Sequence, residues 1–255
     1  MALSISQTVA LGKILKVMRC AQAPLHPGMR VASMGYPDII APLPAIGILV
    51  DLGRLEYRED SKKICHRHGL KERDIPDAHS FFRLFGYELD VYDVVQERGC
   101  EIILDLNEPC PYTFQYDIVL DVGTLEHCFN IAQALSNMAM MVKEGGTIIH
   151  ENPFNCGNHG FYNLNPTLFN DFYDANGFKV LECKLVTRDG RAATVPATER
   201  FSFTAEEVNV FAMAKRLKVQ PLRYPVQTKY AKLIPAAGVS GERAASERAK
   251  EIANG

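Results

Sequence analysis

The sequence predicts an α/β protein: a Rossmann-like, doubly wound, mostly parallel seven-stranded sheet with an antiparallel edge. Three observations predict it. Short apolar runs alternate with segments whose apolar residues recur every three to four positions, the pattern of strands that cross over through helices. The runs that should be strands end repeatedly on polar or acidic residues, as strands do where an open sheet faces a ligand crevice. The last two runs are joined by an excursion that fits an antiparallel pair.

The elements follow in order. MALSISQTVALGKILKVMRC carries apolar residues at helical spacing with scattered lysines. It lacks the charged start and unbroken apolar stretch of a secretory signal, so residues 1–28 read as an N-terminal helical segment. A strand is expected over 29–33, followed by a turn, SMGYPD. Residues 54–70 are charged and helical in character, and 77–85 form a second helix. Strands are expected over 87–94, 101–106, 116–122 and 146–151. Between the last two lies NIAQALSNMAMMVKE, helical in period and stopped by Gly145–Gly146. Residues 165–176 read as a helix with Asn165 as N-cap, Pro166 in the first position and Gly177 after the end. Strands over 178–186 and 208–214 complete the domain, which spans 29–216. The excursion 187–206 is expected to add a lid or a partner surface. The extension 217–255 loses periodicity, and its end, GVSGERAASERAKEIANG, is polar with at most one loose helix, so it is expected to be partly flexible.

Bulk properties narrow the function. The length of 255 residues suits one α/β domain with trimmings, and 47% apolar residues suffice for a core. A net charge of −2 argues against a strongly electrostatic nucleic-acid binder. No run of eighteen apolar residues exists, so no membrane span is expected. The seven cysteines are scattered without a CxxC pair, which favours reduced thiols and a cytoplasmic location. Cys65-His66-Arg67-His68 has metal-binding residue types, but consecutive helical residues point in different directions and no second cluster accompanies it, so no metal site is expected.

Candidate site residues are collected from the strand ends. The first end gives Ser33 to Asp38, the second Asp90 or Asp93, and the third Asp105-Leu106-Asn107. The fourth gives Asp121 to His127 and the fifth His150 to Pro153. Any one acid here also suits a turn. As a set they describe a site for an adenosine-containing cofactor. An acid after the second strand can accept from both ribose hydroxyls. An acid or Asn after the third can accept from the exocyclic amine of adenine. Gly35 lets backbone approach the ligand closely.

Residues 105–178 carry DLN-x-P, D-x-V-x-D-x-G-T-L-E-H, GG, HGFY-x-x-x-P-x-L-F and NGF. In these motifs the chain resembles class I S-adenosylmethionine-dependent methyltransferases, in particular a bacterial branch found near polysaccharide and secondary-metabolite genes. Looser similarity runs from Met29 to about Lys215. The resemblance implies that S-adenosylmethionine is the cofactor, with Ser33, Gly35 and Tyr36 at its methionine end. Asp93 would hold the ribose, with Asp90 as second choice, and Asp105 and Leu106 would meet the adenine. Asp121 and Gly123 would stand beside the methionine portion, and Glu126-His127 would close the pocket. The G-x-G-x-G loop usual in methyltransferases is replaced by SMGYPDI. ENPF at 151–154 is similar to the signature of nucleic-acid amino methylases, but it follows the fifth strand where that motif follows the fourth.

The expected activity is methyl transfer to a small-molecule or saccharide acceptor, at oxygen or nitrogen, with 39–80 and 152–165 shaping the acceptor pocket. No nucleic-acid or membrane partner is expected, and self-association is left open. A general base is needed only for a protonated acceptor. His159 is the first candidate; otherwise it orders its loop. Tyr162 either orients the acceptor or packs, and His127 either assists or caps a helix. The reduced loop leaves a rival open, a non-catalytic binding protein on the same fold. A nicotinamide-dependent oxidoreductase is disfavoured by the missing glycine fingerprint.

Overall fold

The computed structural model describes residues 2–3, 8, 11–16, 28–187, 190–196, 199–202, 207–231 and 233. Its centre is an eight-stranded sheet. Strands β1 (Ala2–Leu3) and β3 (Asp38–Ile39) form a separate two-stranded pair. The large sheet holds β2 (Met29–Met34), β4 (Tyr87–Asp93), β5 (Ile102–Ile103), β6 (Tyr116–Val122), β7 (Val142–Pro153), β8 (Phe178–Thr187), β9 (Ala192–Thr194) and β10 (Val208–Arg216). Their order is β5-β4-β2-β6-β7-β10-β8-β9. Pairings from β5 through β7 are parallel, and those among β7, β10, β8 and β9 are antiparallel. The chain runs outward from β2 to β5 and then returns to β6. The switch in strand order therefore lies between β2 and β6, where open α/β sheets place ligands. The architecture is α/β and Rossmann-like, with a mostly parallel mixed sheet.

The helices are α1 (described over 11–16), α2 (Leu43–Gly47), α3 (Ser61–Arg67), α4 (Ala78–Leu84), α5 (Ile131–Met141), α6 (Pro166–Ala175) and α7 (Thr228–Ala231). Two hydrophobic clusters cover the sheet. One joins Leu11 and Leu15 of α1 and Phe81 and Phe82 of α4 to Val31, Ile118 and Leu120. The other joins Leu135 and Met138 of α5 and Phe169 and Tyr173 of α6 to Ala32, Met34 and Val119. Neighbouring strand positions fall in different clusters because successive side chains point to opposite faces. Every residue of β6 is buried, as expected of a central parallel strand covered on both sides. None of the described helices is long and apolar enough to cross a membrane.

Several expectations are corrected. The sheet has eight strands, not seven, because the excursion after β8 folds back as a hairpin: Thr187 N–H donates to Arg191 O at 2.9 Å and β9 pairs with β8. The strand expected over 101–106 shrinks to Ile102–Ile103. It has only β4 beside it, and Asp105 Oδ1 accepts from Asn107 N–H at 2.8 Å, which turns the chain away. Gly145–Gly146 do not separate helix from strand, since α5 stops at Met141 and β7 begins at Val142. A side chain at Gly146 would lie 2.9 Å from Lys143 O and 3.0 Å from Asp117 O, so this glycine serves close packing instead. Only Ser61–Arg67 of the expected 54–70 helix forms, because residues before it pair with 75–77: Arg58 N–H donates to Ile75 O and Asp77 N–H to Glu56 O. Residues 2–3 are extended, not helical. Thr187 to Arg216 is described in part, and the loose helix expected near the end lies outside the described residues. The start of the extension is tied to α6: Gln220 Nε2 donates to Ala175 O at 2.8 Å and Thr228 Oγ1 to Asp171 Oδ1 at 2.6 Å.

The segment 39–80 is held to the sheet by buried charge. Arg98 NH2 donates to both carboxylate oxygens of Asp38, at 2.9 and 2.8 Å, and both side chains are buried. Asp60 accepts from Arg58 Nε at 2.9 Å and lies 3.5 Å from Arg98. Arg98→Ala is expected to cost about 3 kcal/mol in urea unfolding, the lower end for a broken buried pair, because His68 stays 3.3 Å from Asp38. Burial raises the Asp60 carboxyl, but the hydrogen bond and charge of Arg58, then the charge of Arg98, outweigh it and hold it below its ordinary value. The folded state thus binds this proton less tightly than the unfolded chain. The stabilisation is present above the unfolded carboxylate value and is lost as the pH falls through the folded one. Acid titration of stability by circular dichroism should show this loss, and Asp60→Asn should flatten it.

Candidate functional site

The carboxyl edge of the parallel strands begins at β2. Gly35 has φ 81°, a conformation that strains other residues, and its N–H donates to Tyr92 O at 2.7 Å. Ser33 is buried and its hydroxyl donates to Gly35 O at 2.8 Å. Thr124 Oγ1 donates to Met34 O at 2.6 Å and so stitches the loop after β6 to the end of β2.

Asp121 is the last residue but one of β6, in register with Met34 on one side and His150 on the other. It is fully buried and fully used. Its Oδ1 accepts from Thr124 N–H and Leu125 N–H, both at 3.1 Å. Its Oδ2 lies 2.7 Å from His150 Nδ1 and accepts from Asn152 Nδ2 at 3.0 Å. His150 Nε2 in turn lies 2.6 Å from the Tyr173 hydroxyl of α6. These bonds order the loop that follows, in which Gly123 takes φ 83° and Leu125–His127 form a single 3-10 turn.

Glu126 is buried beside this network. Asn152 Nδ2 also donates to its Oε2 at 3.0 Å. Its Oε1 has no hydrogen-bond partner among the described residues but faces two imidazoles, with His159 Nε2 at 3.4 Å and His127 Nε2 at 3.9 Å. Burial, and then the charge of Asp121, push the Glu126 carboxyl up to about 7. Burial and the neighbouring His159 lower His127. The loop carrying His159 is clamped onto the same residue, since Phe161 N–H donates to Glu126 O at 2.9 Å. A Cβ on Gly160 would stand 2.8 Å from Glu126 O and 2.9 Å from Glu126 Cγ. Gly160→Ala is therefore expected to destabilise by about 1–3 kcal/mol, the range for overpacking, read as a lower urea midpoint at unchanged slope.

The other expected residues are placed as follows. Asp93 ends β4 half-buried, and its Oδ1 accepts a long bond from Val95 N–H at 3.3 Å. Asp90 is committed elsewhere, to the Arg30 guanidinium and to the Tyr116 hydroxyl. Asp105 is exposed beyond β5, and Leu106 is buried behind it. The Tyr36 hydroxyl is committed to α4: it donates to Asp77 Oδ2 at 2.7 Å and accepts from Ala78 N–H at the start of that helix. The Tyr162 hydroxyl donates to Phe129 O at 2.8 Å. Phe129 and Phe161 are exposed and meet edge to face beside the two histidines.

The fold thus brings Asp121, Gly123, Glu126, His127 and His159 into one cluster, with Gly35, Asp93 and Asp105 at adjoining strand ends. Two residues given no role from sequence prove central. Asn152 bridges the two buried carboxylates, and Thr124 joins the loops. Both lie in polar strand-end stretches, which is the only signal the sequence offers for them.

No model of a known protein family matches the chain, and no curated protein matches it. Solved structures do. A trans-methyltransferase, CalH, in complex with S-adenosylhomocysteine is 12% identical with a TM-score of 0.47, over 83% of this chain and 57% of that one. The N-methyltransferase NodS of Bradyrhizobium japonicum, also with S-adenosylhomocysteine, is 11% identical with a TM-score of 0.43, over 82% and 87%. A 1,6-didemethyltoxoflavin N1-methyltransferase of Burkholderia thailandensis is 14% identical with a TM-score of 0.41, over 82% and 79%. The chain thus spans little more than half the length of the first of these.

Proposed function

We propose that the carboxyl edge binds S-adenosylmethionine and that the protein transfers its methyl group to a small-molecule or sugar-like acceptor, at oxygen or nitrogen. The observation that carries this reading is the row of groups along one sheet edge: Asp105, Asp93 and Gly35 at or just beyond the ends of β5, β4 and β2, and Asp121 and Glu126 at the end of β6 and in the turn after it, around the switch in strand order.

The residues present fit such a cofactor. Asp93 accepts one long bond and keeps capacity for both hydroxyls of a ribose. Gly35 and Gly123 present backbone at the edge without a side chain. Asn152 Oδ1 is a buried acceptor without a hydrogen-bond partner among the described residues, and the positive methionine end would satisfy it.

The bound cofactor supplies a methyl group on a sulfonium, open to in-line displacement. The chain aligns the acceptor and excludes water. His159, half-exposed and next to a buried carboxyl, accepts the proton of a hydroxyl or amine acceptor through Nε2. Glu126 then stabilises the imidazolium at 3.4 Å. Tyr162 holds the Phe129 carbonyl and so keeps the aromatic pair at the mouth in place.

A specific observation favours a second reading, a binding protein without turnover. After β2 the chain enters the short strand β3 before any helix, so no helix N-terminus follows the Gly35 turn directly. Thermal-shift titration decides. A ligand that binds only the folded state adds about 2.7 kcal/mol at a hundredfold excess over Kd. S-adenosylmethionine and S-adenosylhomocysteine are expected to raise Tm by several degrees; no shift at millimolar concentration favours the second reading.

A further inference from the structure

Glu126, His127 and His159 supply more than an acid and a base. Glu126 Oε1 and one ring nitrogen from each histidine all lie within 4.8 Å of one another. The carboxylate is buried and this oxygen has no hydrogen bond among the described residues, which is costly unless something else satisfies it. The other oxygen is fixed by Asn152, the kind of support that orients a ligating carboxylate. The imidazole rings are tilted at 44° with centroids 5.3 Å apart, so they do not stack face to face. Their side chains are 50% and 53% exposed, which leaves access from solvent. The clamp between Phe161 N–H and Glu126 O holds the two loops together before any ligand arrives.

We propose that Glu126, His127 and His159 bind a divalent transition-metal ion, Zn²⁺ or a first-row neighbour, with further coordination positions open to solvent. Two imidazoles and one carboxylate form a donor set that suits such ions and leaves room for an exchangeable ligand. Mg²⁺ and Ca²⁺, which take oxygen ligands, are poorly matched. No ligand spacing announces the site, because the histidines sit on separate loops. The proposal goes beyond the methyl-transfer reading and does not need it, since the metal is titrated without cofactor. With an ion bound, His159 is a ligand and not a base. An acceptor hydroxyl at an open position would then be made more acidic by the ion.

The test is a Co²⁺ titration of chelator-stripped protein, followed by visible absorption and repeated with Zn²⁺ by calorimetry. One equivalent is expected to bind, with ligand-field bands and no thiolate charge-transfer band. His127→Ala and His159→Ala should each weaken binding by more than about tenfold while the metal-free Tm stays near wild type. Pulsed electron paramagnetic resonance of the Cu²⁺ form gives an independent reading on the wild-type chain and should report two coordinated imidazoles. Absence of saturable binding, a thiolate charge-transfer band, or affinity unchanged in both variants would overturn the proposal.

Discussion

Asp121→Ala is expected to lose about 5 kcal/mol of stability, the largest effect of any single change at the site. The carboxylate accepts from two backbone N–H groups and from Asn152, and it pairs with His150, all in a buried setting. Truncation strands these groups together, and each unsatisfied buried donor costs about 1–3 kcal/mol before relaxation. Against a typical total of about 5–15 kcal/mol, such a loss is about a third or more of the whole. Asp121→Asn keeps an acceptor for Thr124 and Leu125 but places an amide N–H₂ against Asn152 or His150, so an intermediate loss of about 2–3 kcal/mol is expected. Urea unfolding by circular dichroism measures both. A loss under 1 kcal/mol for the alanine variant would mean that the network does not organise the loop after β6.

The second large effect falls on binding. Asp93→Ala is expected to weaken S-adenosylhomocysteine by between about tenfold and a few hundredfold, the value of one hydrogen bond to a charged group or more. Stability should barely change, because Asp93 is half-buried and the one hydrogen bond of its side chain among the described residues, from Val95 N–H, is long. Asp90→Ala should do the opposite, lowering stability through the lost contacts with Arg30 and Tyr116 while leaving affinity near wild type. Calorimetric titration of both variants measures the contrast. If affinity follows Asp90 and not Asp93, the ribose subsite is misassigned.

The legibility of the fold followed the number of neighbours each element has. β6 was plain from sequence because a strand buried on both faces is apolar throughout. The α6 ends were plain because Asn165 and Pro166 are local signals, and Asn165 Oδ1 does accept from Thr167 N–H. β5 and β9 were not, because an edge strand owes its length to a single partner. The N-terminal residues escaped for the same reason, since Ala2–Leu3 are extended only through pairing with Asp38–Ile39. Within the site, Asp121, Gly123 and Glu126 were legible as the polar end of an apolar run. The meeting of His159 with Glu126, and the bridge made by Asn152, depend on three loops folding together and leave no local trace. Tyr36 was expected at the cofactor, yet its hydroxyl serves the Asp77 cap of α4, a partner that no neighbouring residue announces.

The carboxyl edge from Asp105 to Glu126 is proposed as the site for an adenosyl sulfonium. Isothermal titration of the wild-type chain with S-adenosylhomocysteine tests it most directly. Saturable binding of one equivalent is expected, weakened by Asp93→Ala and not by Asp90→Ala. Absence of binding at millimolar ligand, with the chain shown to be folded, would contradict it.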